Sequence, residues 1–142
     1  MARTCVIQCN LKNFPFGADS LPAEACRLFR SSGIRRELFA KQNLLLYPKV
    51  RLEDYIEVCD IGKNKQSLRG RIRSRHVDFL LCDDKLHVKA AIELDDHSHD
   101  NKKAKEIDYF KDQLHKSIGL QLFRVSVKKD YIEDIRHILD EV

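Results

Sequence analysis

The hydrophobic pattern is clearest in the middle of the chain, where two apolar runs flank a short polar segment. The runs cover residues 77–82 and 88–94, and the Asp83-Asp84-Lys85 segment between them is typical of a turn. This pattern predicts an antiparallel hairpin of two largely buried strands. One carboxylate interrupts each run, Asp78 in the first strand and Glu93 in the second.

The position of the turn determines whether these two carboxylates share one face of the sheet. A two-residue turn centred on Asp84-Lys85 would place Asp78 opposite Ala91, with Glu93 as its diagonal neighbour. Both side chains would then lie on one face, with the backbones of the two residues roughly 7–8 Å apart. A shifted turn that kept the parity would leave them on the same face, and one that changed the parity would separate them.

The first third of the chain has a weaker pattern. Residues 1–19 show no clear period and are predicted to be an irregular lead-in. Ser20 then resembles a helix cap, and apolar residues recur at helical spacing up to Phe39. The Ser31-Ser32-Gly33 segment interrupts this spacing, so the sequence predicts either one bent helix or two short ones.

Two strands and a loop are predicted between this helical region and the hairpin. Residues 44–47 form the first predicted strand, and residues 50–58 are expected to continue the sheet beyond Pro48. Residues 62–70 are rich in glycine and basic side chains, and we expect them to form a loop.

The pattern after the hairpin predicts a helix, a strand and a last helix. Asp100 or Asn101 would cap the first helix, whose apolar residues run at helical spacing to Ile118 before Gly119 ends it. Residues 120–127 alternate as a strand, which should pair in parallel because a crossover helix precedes it. With a helix over 131–141, the predicted order is α-β-β-β-α-β-α.

Composition restricts the class of protein. With 142 residues, 43% of them hydrophobic, the chain is long enough for a single domain with a full core. It contains no apolar run of about 20 residues and begins without a secretory signal pattern, so we expect a cytoplasmic protein that does not enter a membrane. Five scattered cysteines without a CxxC pair favour reduced thiols and argue against a zinc ribbon.

The basic residues are unevenly distributed, although the net charge is only +4. Residues 63–75 carry six basic side chains and no acidic one, and a second basic cluster begins at Lys102. Such clusters either form a solvated face or contact the phosphates of a nucleic acid. The residues proposed for phosphate contact are Lys63, Lys65, Arg69, Arg71, Arg73, Arg75, Lys102 and Lys103.

Three segments together resemble a known group of nucleases. They are VDFLL, IELDDHSHD and EIDYFKDQLHKSIGLQLFRV. The chain is similar in these segments to the PD-(D/E)XK superfamily, and it resembles more closely the small bacterial domains of unknown function related to very-short-patch repair endonucleases. The resemblance implies a restriction-endonuclease-like three-layer α/β fold, with a mixed central sheet and helices on both faces.

The resemblance also implies a site for Mg²⁺ (or Mn²⁺). Asp78 and Glu93 match the two signature acids, and metal binding would explain carboxylates in otherwise buried strands, where an unpaired charge is costly. Asp95 stands where the superfamily usually has lysine, and it is either a further metal ligand or a solvated strand end. An ordinary salt bridge from Asp78 to Arg75 or Arg124 is the structural alternative.

Other candidate site residues lie outside the two strands. Glu24 matches an acid on the family's first helix, and His99 matches its histidine. Lys89 or Lys111 would supply the ammonium group that position 95 lacks. Two histidines two residues apart, with no cysteine near them, are a weak zinc signal.

The sequence therefore predicts a metal-dependent phosphodiesterase that acts on DNA, with RNA not excluded. The alternative is a catalytically inactive nucleic-acid-binding module with the same fold. A third interpretation is an interaction domain whose acids are structural. A monomer and a homodimer both stay open.

Overall fold

The computed structural model describes residues 4–6, 36–58, 65–95 and 102–142, and for residues 4–6 the backbone alone. Glu24, Lys63, His99, the part of the predicted helical region before residue 36 and the possible zinc ligands lie outside these residues. The end of that region is helical as predicted. The elements in chain order are β1 Thr4–Val6, α1 Arg36–Ala40, β2 Leu44–Arg51, a 3-10 turn Leu52–Asp54, β3 Ile56–Val58, α2 Lys65–Arg73, β4 His76–Asp83, β5 Val88–Asp95, α3 Lys102–Ser117, β6 Gln121–Ser126 and α4 Ile132–Glu141.

Four strands form the main sheet, in the order β2-β4-β5-β6. The pairs β2–β4 and β4–β5 are antiparallel, and β6 lies parallel to β5 after the crossover through α3. The predicted parallel pairing of the last strand is therefore confirmed, and the sheet is mixed.

Apolar side chains cover both faces of this sheet. On one face, Ile72 of α2 and Phe110 and Leu114 of α3 pack in one buried cluster with strand residues. On the other, Phe39 of α1 and Ile135 of α4 belong to a second cluster. Helices lie on both sides because adjacent strand residues point to opposite faces and both sets are apolar.

The hairpin turn is longer than predicted. Leu80, and not Asp78, lies opposite Ala91, so the register is shifted by two residues. One residue of this shift comes from the turn, where Asp83 Oδ1 accepts hydrogen bonds from the backbone N–H groups of Lys85 and His87 at 2.9 and 2.8 Å and stabilises a loop one residue longer than predicted. The other residue comes from a shift of register within the strands, because Cys82 lies opposite Val88 whereas Leu81 lies opposite Ala90. A shift of two keeps the parity, and continuing the register places Asp78 directly opposite Glu93.

The region before the hairpin departs from the prediction in two places. Strand β2 runs through Pro48, which is tolerated because β2 is an edge strand and its missing N–H breaks few ladder bonds. The expected strand over 50–58 is interrupted by the 3-10 turn, where Leu52 is fully buried and its N–H donates to the Arg75 carbonyl at 2.9 Å. Strand β3 then pairs with β1 in a separate two-stranded sheet, so the lead-in contains a short strand.

The predicted basic loop is also wrong in part, because helix α2 begins at Lys65 and continues to Arg73. Leu68 and Ile72 lie one turn apart on this helix and pack against the core, which favours helix over the loop preference of Gly70.

The last third of the chain follows the prediction closely. Gly119, two residues after the end of α3, has φ +68°, the left-handed conformation expected of a glycine that ends a helix. Ile107 is an exception to the predicted core residues of α3, since it is 37% exposed. The last helical segment lies where it was predicted, and its residues Tyr131, Ile135 and Ile138 are buried. Among the described residues, the helices are all too short or too polar to span a bilayer.

Candidate active site

Asp78 lies near the start of β4, and its carboxylate points between two neighbouring strands. Its Oδ2 accepts a hydrogen bond from the backbone N–H of Leu94 at 2.9 Å, so the side chain extends the contact between β4 and β5 beyond the last paired residues. Its Oδ1 forms an ion pair with the ammonium group of Lys49 on β2. The carboxylate is 16% exposed, which places it at the edge of the core.

Glu93 occupies the facing position on β5, and it forms an ion pair with a lysine of helix α3, which packs on this face of the sheet. The Lys111 ammonium of helix α3 donates to Glu93 Oε1 at 2.6 Å, and each of these side chains is only 10% exposed. The predicted proximity of Lys111 to the acids is therefore present in the structure. The other candidate lysine, Lys89, lies at the turn end of the hairpin, 3.9 Å from Asp83.

The environment of Glu93 makes its negative charge costly. Burial raises the pKa of the Glu93 carboxyl above its usual range, and the nearby charge of Asp78 acts in the same direction. The ammonium of Lys111 opposes both effects. A cation close to this pair of acids would lower the same electrostatic cost.

The buried side chains of His115 and Tyr55 are hydrogen-bonded to each other, and His115 also contacts the backbone of α3 at Lys111. His115 Nδ1 lies 2.7 Å from the Lys111 carbonyl oxygen and donates to it, which leaves Nε2 as the acceptor of the Tyr55 hydroxyl at 2.7 Å. Burial lowers the pKa of His115, consistent with a neutral ring. Phe110 and Leu114, which flank Lys111, pack into the core and fix the direction of the helix.

Asp95 takes part in a separate ion-pair network. Its Oδ1 lies 3.1 Å from Arg124 of β6, whose guanidinium also contacts Asp108 at 3.4 Å and Asp112 at 2.9 Å. Burial acts to lower the pKa of Arg124. The hydrogen bond and negative charge of Asp112, together with the charges of Asp108 and Asp95, outweigh burial, so the pKa of Arg124 is raised. Asp95 is thus held on the same face as Glu93 by an arginine.

Two residues of this region were not identified from the sequence. Lys49 faces Asp78 although it is far away in the chain, and His76 lies two residues before Asp78 on the same strand face. Burial lowers the pKa of His76, and the positive charges of Lys49 and Lys111 lower it further. Strand alternation could have identified His76 from the sequence, since it lies two residues before Asp78. Lys49 could be identified only once the register between β2 and β4 was known.

The basic residues of α2 and of the segment that joins it to β4 divide into two groups. The guanidinium carbons of Arg71 and Arg75 lie 4.0 and 5.2 Å from the ring centroid of Phe110, so both side chains pack over this aromatic residue. Of the other residues proposed for phosphate contact, Lys65 is half-buried and Arg69, Arg73, Lys102 and Lys103 are exposed.

The described residues contain no group of three or more His, Cys, Asp and Glu side chains arranged to hold a metal ion. Asp78 and Glu93 are two carboxylates that face each other on adjacent strands. Carboxylate oxygens are what a hard cation prefers, and Mg²⁺ is commonly held by one or two carboxylates together with water and substrate phosphates. The donor set of Asp78 and Glu93 fits such an ion.

The fold and the site define an α/β protein with a mixed four-stranded sheet, helices on both faces and a pair of lysine-bound acids at one end of a hairpin. The chain belongs to the family described as "Protein of unknown function (DUF2726)", which matches residues 36–142. Neither the curated proteins nor the solved structures contain a match to this chain.

Proposed function

We propose that the protein is a metal-dependent phosphodiesterase that acts on DNA, with the restriction-endonuclease-like fold that the sequence resembles. The observation that carries the proposal is the position of Asp78 and Glu93. They face each other on adjacent strands, at the edge of the core, and a lysine contacts each of them. Two acids can hold a divalent ion, and nearby ammonium groups can stabilise negative charge on a phosphate.

Asp78 and Glu93 are the residues that would hold Mg²⁺ or Mn²⁺. A bound divalent ion supplies a water of lowered pKa and stabilises negative charge on the phosphate. Lys111 keeps the buried Glu93 available as an anion and fixes its position. Asp95 is kept away from this role by Arg124, so we assign it to the support of the strand end.

The basic side chains near the site would bind the nucleic-acid backbone. Helix α2 leads directly into β4, so Arg73 and Arg75 precede Asp78 by only a few residues. Lys102 and Lys103 are exposed at the start of α3, about two helical turns before Lys111. A phosphate backbone between these two groups would pass over the acids, and such contacts carry most of the affinity of sequence-independent binding.

A catalytically inactive nucleic-acid-binding module is the second candidate. The ion pairs of Asp78 with Lys49 and of Glu93 with Lys111 favour it, because carboxylates already neutralised by lysines need no metal for stability. The two candidates differ in one measurable property, which is whether divalent metal leads to cleavage.

Cleavage of plasmid, linear and single-stranded DNA in Mg²⁺ and Mn²⁺ tests the proposal. We expect wild-type protein to cut at least one of these forms and Asp78→Asn to lose at least a hundredfold in rate. Asp84→Asn is the matched control, since it makes the same change at an exposed position at the other end of the hairpin.

If wild-type protein binds DNA but cuts none of the three forms in either metal, the enzyme assignment fails and the binding module replaces it. If Asp78→Asn cuts as fast as wild type, the site is misplaced. If no DNA binds, both candidates fail and the acids are structural.

A further inference from the structure

Lys49 has a backbone conformation that is unusual for its place in a strand. Its φ is 50°, in the left-handed region that is unfavourable for a residue with a Cβ atom. The residues on either side are paired normally, Pro48 with Phe79 and Val50 with Val77, and the register is the same before and after. The distortion therefore lies at the one position of β2 that faces Asp78.

The two lysines of the site differ in their freedom to move. The Lys111 side chain is 10% exposed and is enclosed between a helix and the sheet, whereas the Lys49 side chain is 50% exposed on an edge strand. Leaving its carboxylate would return the Lys49 ammonium to water at little cost, because ion pairs with an exposed partner are weak. The same movement by Lys111 would leave two charges buried without partners.

From these two observations we infer that Lys49 is an exchangeable counter-ion. It neutralises Asp78 in the metal-free protein, gives up this position to the divalent cation, and then contacts the phosphate of the bound nucleic acid. This inference rests on the proposed function, and it assigns to Lys49 the ammonium group that the sequence lacks at position 95. Local backbone strain at Lys49 is consistent with a residue that serves two arrangements.

The inference predicts that removal of the Lys49 charge has opposite effects on metal and on nucleic acid. The cation would no longer compete with an ammonium group for Asp78 and would bind more tightly. The phosphate would lose a cationic contact and bind less tightly. A lysine with only a structural role would not produce this pair of changes.

Lys49→Asn is the variant of choice, because asparagine tolerates the left-handed conformation and carries no charge. Mn²⁺ affinity is measured by calorimetry without DNA, and affinity for a short duplex is measured in Ca²⁺. We expect Mn²⁺ to bind Lys49→Asn about five- to tenfold more tightly than wild type. Duplex affinity should fall about fivefold. Lys85→Asn, at an exposed position of the hairpin turn, is the matched control and should change neither affinity.

Lys49→Arg provides a second variant that keeps the charge, and it should retain the wild-type affinity for Mn²⁺ within about twofold. If wild type binds Mn²⁺ in a manner that depends on Asp78, but Lys49→Asn binds it equally or less tightly, the inference is overturned and the proposed function stands. If no Mn²⁺ binding depends on Asp78, the metal site itself fails and the inference fails with it.

Discussion

The Lys111 ammonium and the Glu93 carboxylate lie 2.6 Å apart, and both side chains are about nine-tenths buried. The pair formed by Lys49 and Asp78 is chemically the same but lies at the surface of the site. Removing one partner of a buried ion pair leaves an uncompensated charge in a medium of low polarity, whereas an exposed partner regains water. Substitutions in the buried Lys111–Glu93 pair should therefore lower the free energy of unfolding more than a substitution of Asp78.

We expect Lys111→Met to lower the free energy of unfolding by about 3–5 kcal/mol at neutral pH. Glu93→Gln should also destabilise the fold, because it leaves the Lys111 ammonium buried without its carboxylate. Asp78→Asn should change stability by less than about 1 kcal/mol, since Lys49 is half exposed. Urea unfolding monitored by circular dichroism measures all three.

The double variant Lys111→Met with Glu93→Gln is the control for this prediction. It removes both charges, so it should be more stable than Lys111→Met alone. Equal stabilities of the single and double variants would mean that the pair is not electrostatically coupled.

The buried His115 should make stability depend on pH. Burial lowers its pKa in the folded protein, so below the ordinary histidine pKa of about 6.5 the unfolded chain binds a proton that the folded chain does not. The free energy of unfolding therefore decreases as the pH falls below about 6.5. His115→Gln should be less stable than wild type at pH 7.5 and should show a flatter dependence between pH 7 and 5.

His137→Gln is the control, because His137 is exposed and its replacement removes one histidine as well. It should keep the wild-type dependence on pH. A wild-type protein whose stability is constant between pH 7 and 5 would contradict the neutral, buried state of His115.

Two glycines should respond in opposite directions to replacement by alanine. Gly70 lies within α2, and a Cβ added there would have no other atom within 4 Å. Gly70→Ala should raise the free energy of unfolding by about 0.5–1 kcal/mol, through the better helix propensity of alanine. Gly119→Ala should lower it by about 1 kcal/mol, because φ is +68° there. Thermal unfolding of the two variants under one set of conditions gives both values. A Gly119→Ala variant more stable than wild type would contradict the left-handed conformation of Gly119.

The sequence predicted that Asp78 and Glu93 share a face on the condition that the turn keeps the parity of the register. The turn alone changes the register by one residue, and the shift between Leu81 and Cys82, which the sequence did not indicate, restores the parity. The size of the turn was not predictable from a count of turn residues, because it depends on side-chain bonds from Asp83. Helix α2 was missed for a similar reason, since burial of Ile72 outweighs the local preference of Gly70.

The partners of the two acids show where sequence reasoning ends. Lys111 was one of two candidates. Strand parity suggested Lys89 and helical spacing suggested Lys111, and the sequence alone could not decide between them. Lys49 was absent from the prediction because its contact with Asp78 joins residues 29 positions apart through the register of two strands. Such a register is set by packing of the whole sheet and cannot be derived from either segment alone.

Arg69 and Arg73 should contribute more to nucleic-acid binding than Arg71 and Arg75, whose guanidinium groups pack on Phe110. Arg69 and Arg73 are exposed and lie one helical turn apart, so they present two charges on one side of the helix. Each phosphate that a cation neutralises releases counter-ions, so a double Arg69→Ala, Arg73→Ala variant should flatten the slope of log K against log salt by about 2. Its unfolding free energy should stay within about 0.5 kcal/mol of wild type.

Arg71→Ala is the comparison for that double variant, because its guanidinium stacks on the Phe110 ring at 4.0 Å. Loss of this contact should lower stability by about 0.5–1 kcal/mol. Its effect on the salt slope should be smaller than that of one exposed arginine, since a stacked guanidinium is less free to meet a phosphate. Fluorescence anisotropy with a labelled duplex at four salt concentrations, together with urea unfolding, separates the two effects. An unchanged slope in the double variant would show that the exposed side of α2 is only a solvated face, and the path proposed for the phosphate backbone would then have to be abandoned.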